Sequence, residues 1–183
     1  MQPNSTLPGA RDDEAQADAL LTPPADPLLR LETFLPYRLN VLSALVLRAL
    51  GRIFDDRFGL AIPDWRVIVT IGQFGTLTAK QVGAHSHMHK TKVSRAVATL
   101  ERRGLLVRRS NKADLREAFL SLTEEGQAIY RDLVPTAVDF ADRMLADLDA
   151  AERVLLESVL EKLTARASVW AAEAPAGADD ELD

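Results

Sequence analysis

No cysteine occurs anywhere in the 183-residue chain, so disulfides are excluded and so is oxidant sensing through a thiol. Long apolar runs are missing as well: Arg38 and Arg48 bracket the longest candidate, which falls short of the ~18 residues a membrane helix needs. The sequence does not open on a basic-then-apolar leader, and with no membrane partner expected, a cytoplasmic protein is predicted. The common catalytic signatures are absent too. There is no G-x-S-x-G, no G-x-x-x-x-G-K-[S/T] and no H-E-x-x-H. Asp55 and Asp56 could pose as an acid pair, but neighbouring carboxylates on a helix point about 100° apart. No enzyme and no cofactor is expected.

What the chain does have is one strongly positive stretch. Residues 80–116 hold ten Lys or Arg against two acids, Glu101 and Asp114, a local charge of +8 inside a chain of −5, which leaves −13 for everything else. A basic island of this kind suits phosphate binding, because Lys and Arg displace the counterions condensed on DNA. The overall acidity hides it.

The pattern within that island is helix, turn, helix, hairpin. Thr78 and Gln81 have the spacing of a reciprocal cap, predicting a helix from Ala79 to Ala84. After the polar break His85 to His89, Val93, Ala96, Val97 and Leu100 recur at helical spacing, and Gly104 stands where a helix over Lys90–Arg103 would stop. Turning those four inward directs Thr91, Arg95, Ala98 and Arg102 outward, with Lys92, Ser94 and Thr99 on the flanks. Residues 105–109 and 118–122 read as short strands around a tip at Ser110 to Asp114. The predicted fold is mainly α with a small β-hairpin, a winged helix-turn-helix.

At these residues the sequence resembles the MarR (multiple antibiotic resistance regulator) family of transcription regulators. The likeness is carried by H-K-T-K-V-S-R-A-V-A-T-L-E-R-R-G-L-L-V-R-R at 89–109, by the wing signature Asp114-Leu115-Arg116, and by Leu122-Thr123-Glu124-Glu125-Gly126. His89 departs from the acidic residue often found there, which leaves the cap of the second helix open. The resemblance implies a homodimer on a double-stranded inverted-repeat operator, with effectors held between the dimerisation helices and the winged domain.

The remaining segments fit that plan. Met1 to Pro27 carries five prolines and five acids against one Arg, so residues 1–30 are expected to be a disordered arm. A domain over 31–172 follows, with dimerisation helices in 31–60 and 124–172 around a winged helix-turn-helix at 61–123; 173–183, with five acids and no base, is a solvated tail. Pro36 to Phe58 predicts a long helix that is apolar around much of its circumference, which suggests a partner subunit. Pro63 and Asp64 open a helix running to Phe74 and stopped by Gly75. Thr123 caps the next helix, in which Pro135 should bend the rod or interrupt one hydrogen bond. Asp149-x-x-Glu152 caps the last.

Specific roles follow. Thr91, Lys92, Ser94 and Arg95 are expected at base edges; Lys90, Arg102 and Arg103 at phosphates. Arg116 matches the family's minor-groove arginine, Asp114 would orient it, and Arg108, Arg109 and Lys112 would add attraction to the backbone. Tyr37, Arg38, Asn40, Ser43, Trp65 and Arg66 are candidates for an effector pocket, although polar groups satisfied by interface contacts and a Trp65 packed in the core are the plainer readings. By analogy the effector is an aromatic carboxylate or an aromatic acyl-CoA, with Arg38 or Arg66 at its anionic part. Two other readings stand beside this one. His85, His87 and His89 could serve a metal-responsive regulator, and the fold could serve a dimeric interaction protein that binds no DNA.

Overall fold

In the computed structural model, residues 29–110 and 117–173 are described. Helix α1 spans Leu35–Phe58, α2 Ile62–Phe74, α3 Ala79–Ser86, α4 Lys90–Arg102, α5 Glu124–Met144 and α6 Ala150–Glu173; strands β1 (Leu77–Thr78), β2 (Leu106–Ser110) and β3 (Ala118–Leu122) lie among them. The chain divides into a unit up to Val46 and a unit from Leu47 onward.

Helix ends follow the capping residues. Thr78 and Gln81 cap α3 reciprocally, with the Gln81 amide donating to the Thr78 hydroxyl and the Thr78 amide to Oε1 of Gln81. The same device opens α6, where the Asp149 amide donates to Glu152 and the Glu152 amide to Asp149, each at 2.9 Å. Thr123 caps α5, accepting from the Gly126 amide at 3.0 Å, and α5 continues through Pro135 to Met144.

The expected hairpin gains a third strand. β1 pairs antiparallel with β3, giving the order β1-β3-β2, with Leu77 opposite Leu120 and Leu106 opposite Leu122. Two residues are too few to show alternation, so β1 leaves no trace in the sequence pattern.

The core lies in the second unit. Phe54, Leu60, Val67, Ile68, Val82, Val93, Val97, Leu100, Leu120 and Leu133 are buried there. Trp65 packs on this core, its ring 5.1 Å from that of Phe54. The first part of α1 differs: Leu35, Leu39, Val41, Leu42 and Leu45 are exposed, and of the whole helix only Leu50 and Phe54 are buried. None of α6 is buried.

Glycine at 126 has a steric cause. A β-carbon there would run into the carbonyl oxygen of Leu105. Thr123 adds two bonds at the same place, its amide to Leu105 O (3.1 Å) and its hydroxyl to Gly104 O (2.7 Å). The Leu-Thr-x-x-Gly motif thus seats the start of α5 on the chain entering β2.

Among the described residues, no helix is long and apolar enough to cross a membrane.

Candidate nucleic-acid interface

The turn between α3 and α4 is made by three differently employed residues. His87 ends α3 in the left-handed region (φ 50), the buried Met88 anchors the turn with its amide on Gly83 O, and His89 becomes the N-cap of α4. Nδ1 of His89 accepts from the Thr91 amide at 3.3 Å. An imidazole thus fills the role that a Ser, Thr, Asn or Asp usually takes.

α4 is divided by burial as its periodicity requires. Val93, Ala96, Val97 and Leu100 are buried, while Lys90, Thr91, Lys92, Ser94, Arg95, Ala98 and Arg102 are exposed. Small residues between the cations leave room for a partner to approach. Arg102 folds along its own helix, with Nε on Ala98 O (3.3 Å) and Nη2 on the Thr99 hydroxyl (3.2 Å), and stays at the surface.

Arg103 differs from Arg102 in where its donors go. Its guanidinium donates to Phe58 O at 2.9 Å and to Gly59 O at 2.6 Å, so these donors face the end of α1 in place of the phosphate expected for them. Charge counting alone could not separate it from Arg102.

On the wing, Arg108 and Arg109 lie on β2 opposite Leu120 and Phe119. Arg108 meets Glu101 through two bonds of 3.2 and 3.1 Å; Arg109 is exposed. Lys112, Asp114 and Arg116 lie outside the described residues. A cleft of about 960 Å³ runs between the two helices and the hairpin, lined by Lys80, Lys90, Ser94, Arg108 and Glu117 among others.

The three histidines do not converge. His85 stacks on Phe74 with ring centroids 4.1 Å apart, while His87 and His89 are used by the turn. Among the described residues no group of three His, Cys, Asp or Glu is placed to hold a metal ion. The metal-responsive reading has no site there.

The effector candidates divide between the two units. In the first, Tyr37 and Arg38 line a shallow pocket of about 320 Å³ with Glu32, Val41, Leu42 and Leu45, whereas Asn40 and Ser43 are exposed and take no part in its lining. In the second, Trp65 is partly buried against the core and Arg66 is half-buried on the same helix. The Trp65 indole N–H is buried with no acceptor among the described residues. Beside Trp65, burial pushes the Asp64 carboxyl above its ordinary 3.8, against the opposing pull of the Ala61 backbone and the Arg103 charge.

Comparison with known proteins agrees with this arrangement. A MarR family model matches residues 58–117, from the end of α1 to the residue before β3. The chain is 29% identical over 92 residues to the HTH-type transcriptional regulator YwoH of Bacillus subtilis, a match covering 50% of this chain and 66% of that protein. Among solved structures it resembles a MarR/EmrR family regulator from Acinetobacter, at TM-score 0.70 and 21% identity over 76% of this chain and 99% of the other. It also shares the fold of BpsR from Bordetella bronchiseptica, whose DNA binding is regulated by 6-hydroxynicotinic acid, at TM-score 0.60 and 22% identity over 69% of this chain and 98% of the other.

Proposed function

Because this chain belongs to the MarR family of transcriptional regulators, we propose that it acts as a homodimeric repressor on an inverted-repeat operator in double-stranded DNA and is released by a small aromatic acid. The observation that carries the DNA reading is the exposed face of α4, where cations alternate with small residues at the start of a helix capped outside the groove-facing stripe. Thr91, Lys92, Ser94 and Arg95 read base edges, with Arg95 suited to guanine; Lys90 and Arg102 hold phosphates. Arg109 and Lys112 add backbone attraction, Arg108 less so because Glu101 offsets its charge. Arg116 in the minor groove, oriented by Asp114, rests on the family's wing signature.

A second copy supplies what α1 and α6 lack. Val154, Leu155, Val159, Leu160 and Trp170 on α6 are exposed, as are Leu39, Leu42 and Leu45 on α1. Apolar surface on this scale calls for a partner. Two-fold pairing would set the α4 helices about one turn of DNA apart.

On the effector, the Tyr37–Arg38 pocket favours a free acid over a CoA thioester. At about 320 Å³ it sits near the lower end of ligand pockets, ~300 Å³, and offers a ring, a guanidinium and an apolar wall. The nucleotide part of a thioester would have to lie outside. BpsR, alike in fold, responds to an acid of this class.

The test is fluorescence anisotropy with duplexes from upstream of the chain's own gene and scrambled controls at modest salt. Two protomers per site and a salt-dependent preference for one inverted repeat are expected; equal affinity for scrambled duplex would rule out the operator. For the effector, a thermal-shift screen of hydroxybenzoic and hydroxynicotinic acids should yield a ligand whose stabilisation disappears in Arg38→Gln. A hit that survives that substitution would place the pocket elsewhere.

A further inference from the structure

The end of α1 leaves two carbonyls to be satisfied. Gly59 (φ 60) turns the chain so that its amide donates to Asp55 O at 2.8 Å and the Leu60 amide to Phe54 O at 3.2 Å. The carbonyls of Phe58 and Gly59 are left beyond the last helical donors, at the negative end of the helix dipole. Arg103 takes both through Nη2 and Nη1. Since Arg103 is also the C-cap residue of α4, one side chain joins the ends of two helices 44 and 45 residues apart in sequence.

The same turn of α1 is held from other directions. Arg57 donates to the Thr136 hydroxyl on α5 at 2.9 Å, and Phe54 is buried against Trp65 of α2. The rest of α4 is seated by Val93, Val97 and Leu100 in the core, and apolar contact is non-directional, so it resists separation better than it resists rotation or sliding. A charge-assisted fork on two fixed carbonyls is directional.

We propose that Arg103 is a positioning residue that clamps the recognition helix to the end of α1 and so fixes the spacing of the two recognition helices in the dimer, rather than touching DNA. This rests on the dimeric operator-binding reading above. Half-site spacing is set by the DNA repeat, so loosening the clamp should penalise the operator and spare unspecific binding.

The absence of cysteine allows a direct test in the 183-residue chain. Ala98→Cys places one nitroxide on the exposed face of α4 in each protomer, and pulsed dipolar spectroscopy reads the distance between them. In this background a narrow distribution is expected. Adding Arg103→Gln should broaden it; in the unlabelled chain with Ala98 intact, Arg103→Gln should reduce operator affinity ~10-fold, with scrambled-duplex affinity and the salt slope unchanged, and Arg103→Lys, which keeps the charge but loses the planar fork, should fall between on both readouts. Leu133→Val, which loosens the core on α5 and leaves the Arg103 hydrogen bonds in place, should lower the melting temperature without broadening the distance. An unchanged width in Arg103→Gln overturns the clamp. So does an equal loss on operator and scrambled duplex with the salt slope reduced by ~1, the signature of a phosphate contact. If the Ala98→Cys parent shows no dipolar coupling, the dimer itself is refuted and the spacing role falls with it, a result distinct from coupling of unchanged width.

Discussion

Glu101 on the recognition helix accepts two hydrogen bonds from Arg108 on the first wing strand, at 3.2 and 3.1 Å. The pair is partly exposed, with side-chain accessibilities of 50% for Arg108 and 30% for Glu101, so it contributes at most ~1 kcal/mol to stability. Its larger effect, on the DNA-binding surface proposed above, is to neutralise one cation. Glu101→Gln should strengthen binding to operator and scrambled duplex alike at low salt and steepen the salt slope by ~1, with little change in melting temperature. Anisotropy titrations over a salt series read both.

Arg95 and Lys90 should separate reading from anchoring. Arg95→Ala is expected to lose ~1–3 kcal/mol on the operator and to relax base preference at one position in each half-site, whereas Lys90→Ala should weaken all duplexes alike and lower the salt slope by ~1. Identical behaviour of the two would remove the distinction.

The imidazole cap makes stability and binding separable at one position. His89→Ala should cost ~1 kcal/mol of stability through loss of the acceptor for the Thr91 amide. His89→Asp restores an acceptor and suits the positive end of α4, so its melting temperature should match the parent. Its DNA affinity at low salt should nevertheless fall, because the new charge faces phosphate.

Asp64 gives a pH dependence with a definite sign. Desolvation raises its folded pKa above the ordinary 3.8, so the protonated form is the one the fold favours. Its contribution is complete below 3.8 and is lost as pH rises through the raised folded value. Relative to Asp64→Asn, the parent should therefore lose stability across that window and run parallel above it. Urea unfolding of both proteins from about pH 3 to about pH 7 makes the comparison.

Gly126→Ala should destabilise by ~1–3 kcal/mol, since the new methyl group meets the Leu105 carbonyl and the start of α5 must shift. Thermal unfolding reads it directly.

The winged helix-turn-helix was legible because its signals are local. Thr78 with Gln81, Asp149 with Glu152, and the apolar set Val93, Ala96, Val97 and Leu100 all lie within one helix or turn, where spacing determines geometry. The bonds of Arg103 were hidden for the opposite reason: its acceptors are far away in sequence, and an arginine beside Arg102 in a basic run carries no mark of which way it turns. β1 is two residues long and exists only through its pairing with β3. The concavity on α1 was not legible in the sequence. Tyr37 and Arg38 share it with Val41 and Leu42, but periodicity could not exclude Asn40 and Ser43 from it, because which flank of α1 carries a concavity depends on tertiary packing.

Helix α6 runs for 24 residues without burying one of them. Most helical stability in proteins comes from packing, and this helix draws none from a buried face of its own chain. If a second protomer covers it, its ellipticity obeys mass action: dilution alone, with no denaturant, should bleach the corresponding share of the far-ultraviolet circular dichroism and lower the unfolding midpoint. Expression level would then govern not only how many operators are occupied but how much of each polypeptide is folded.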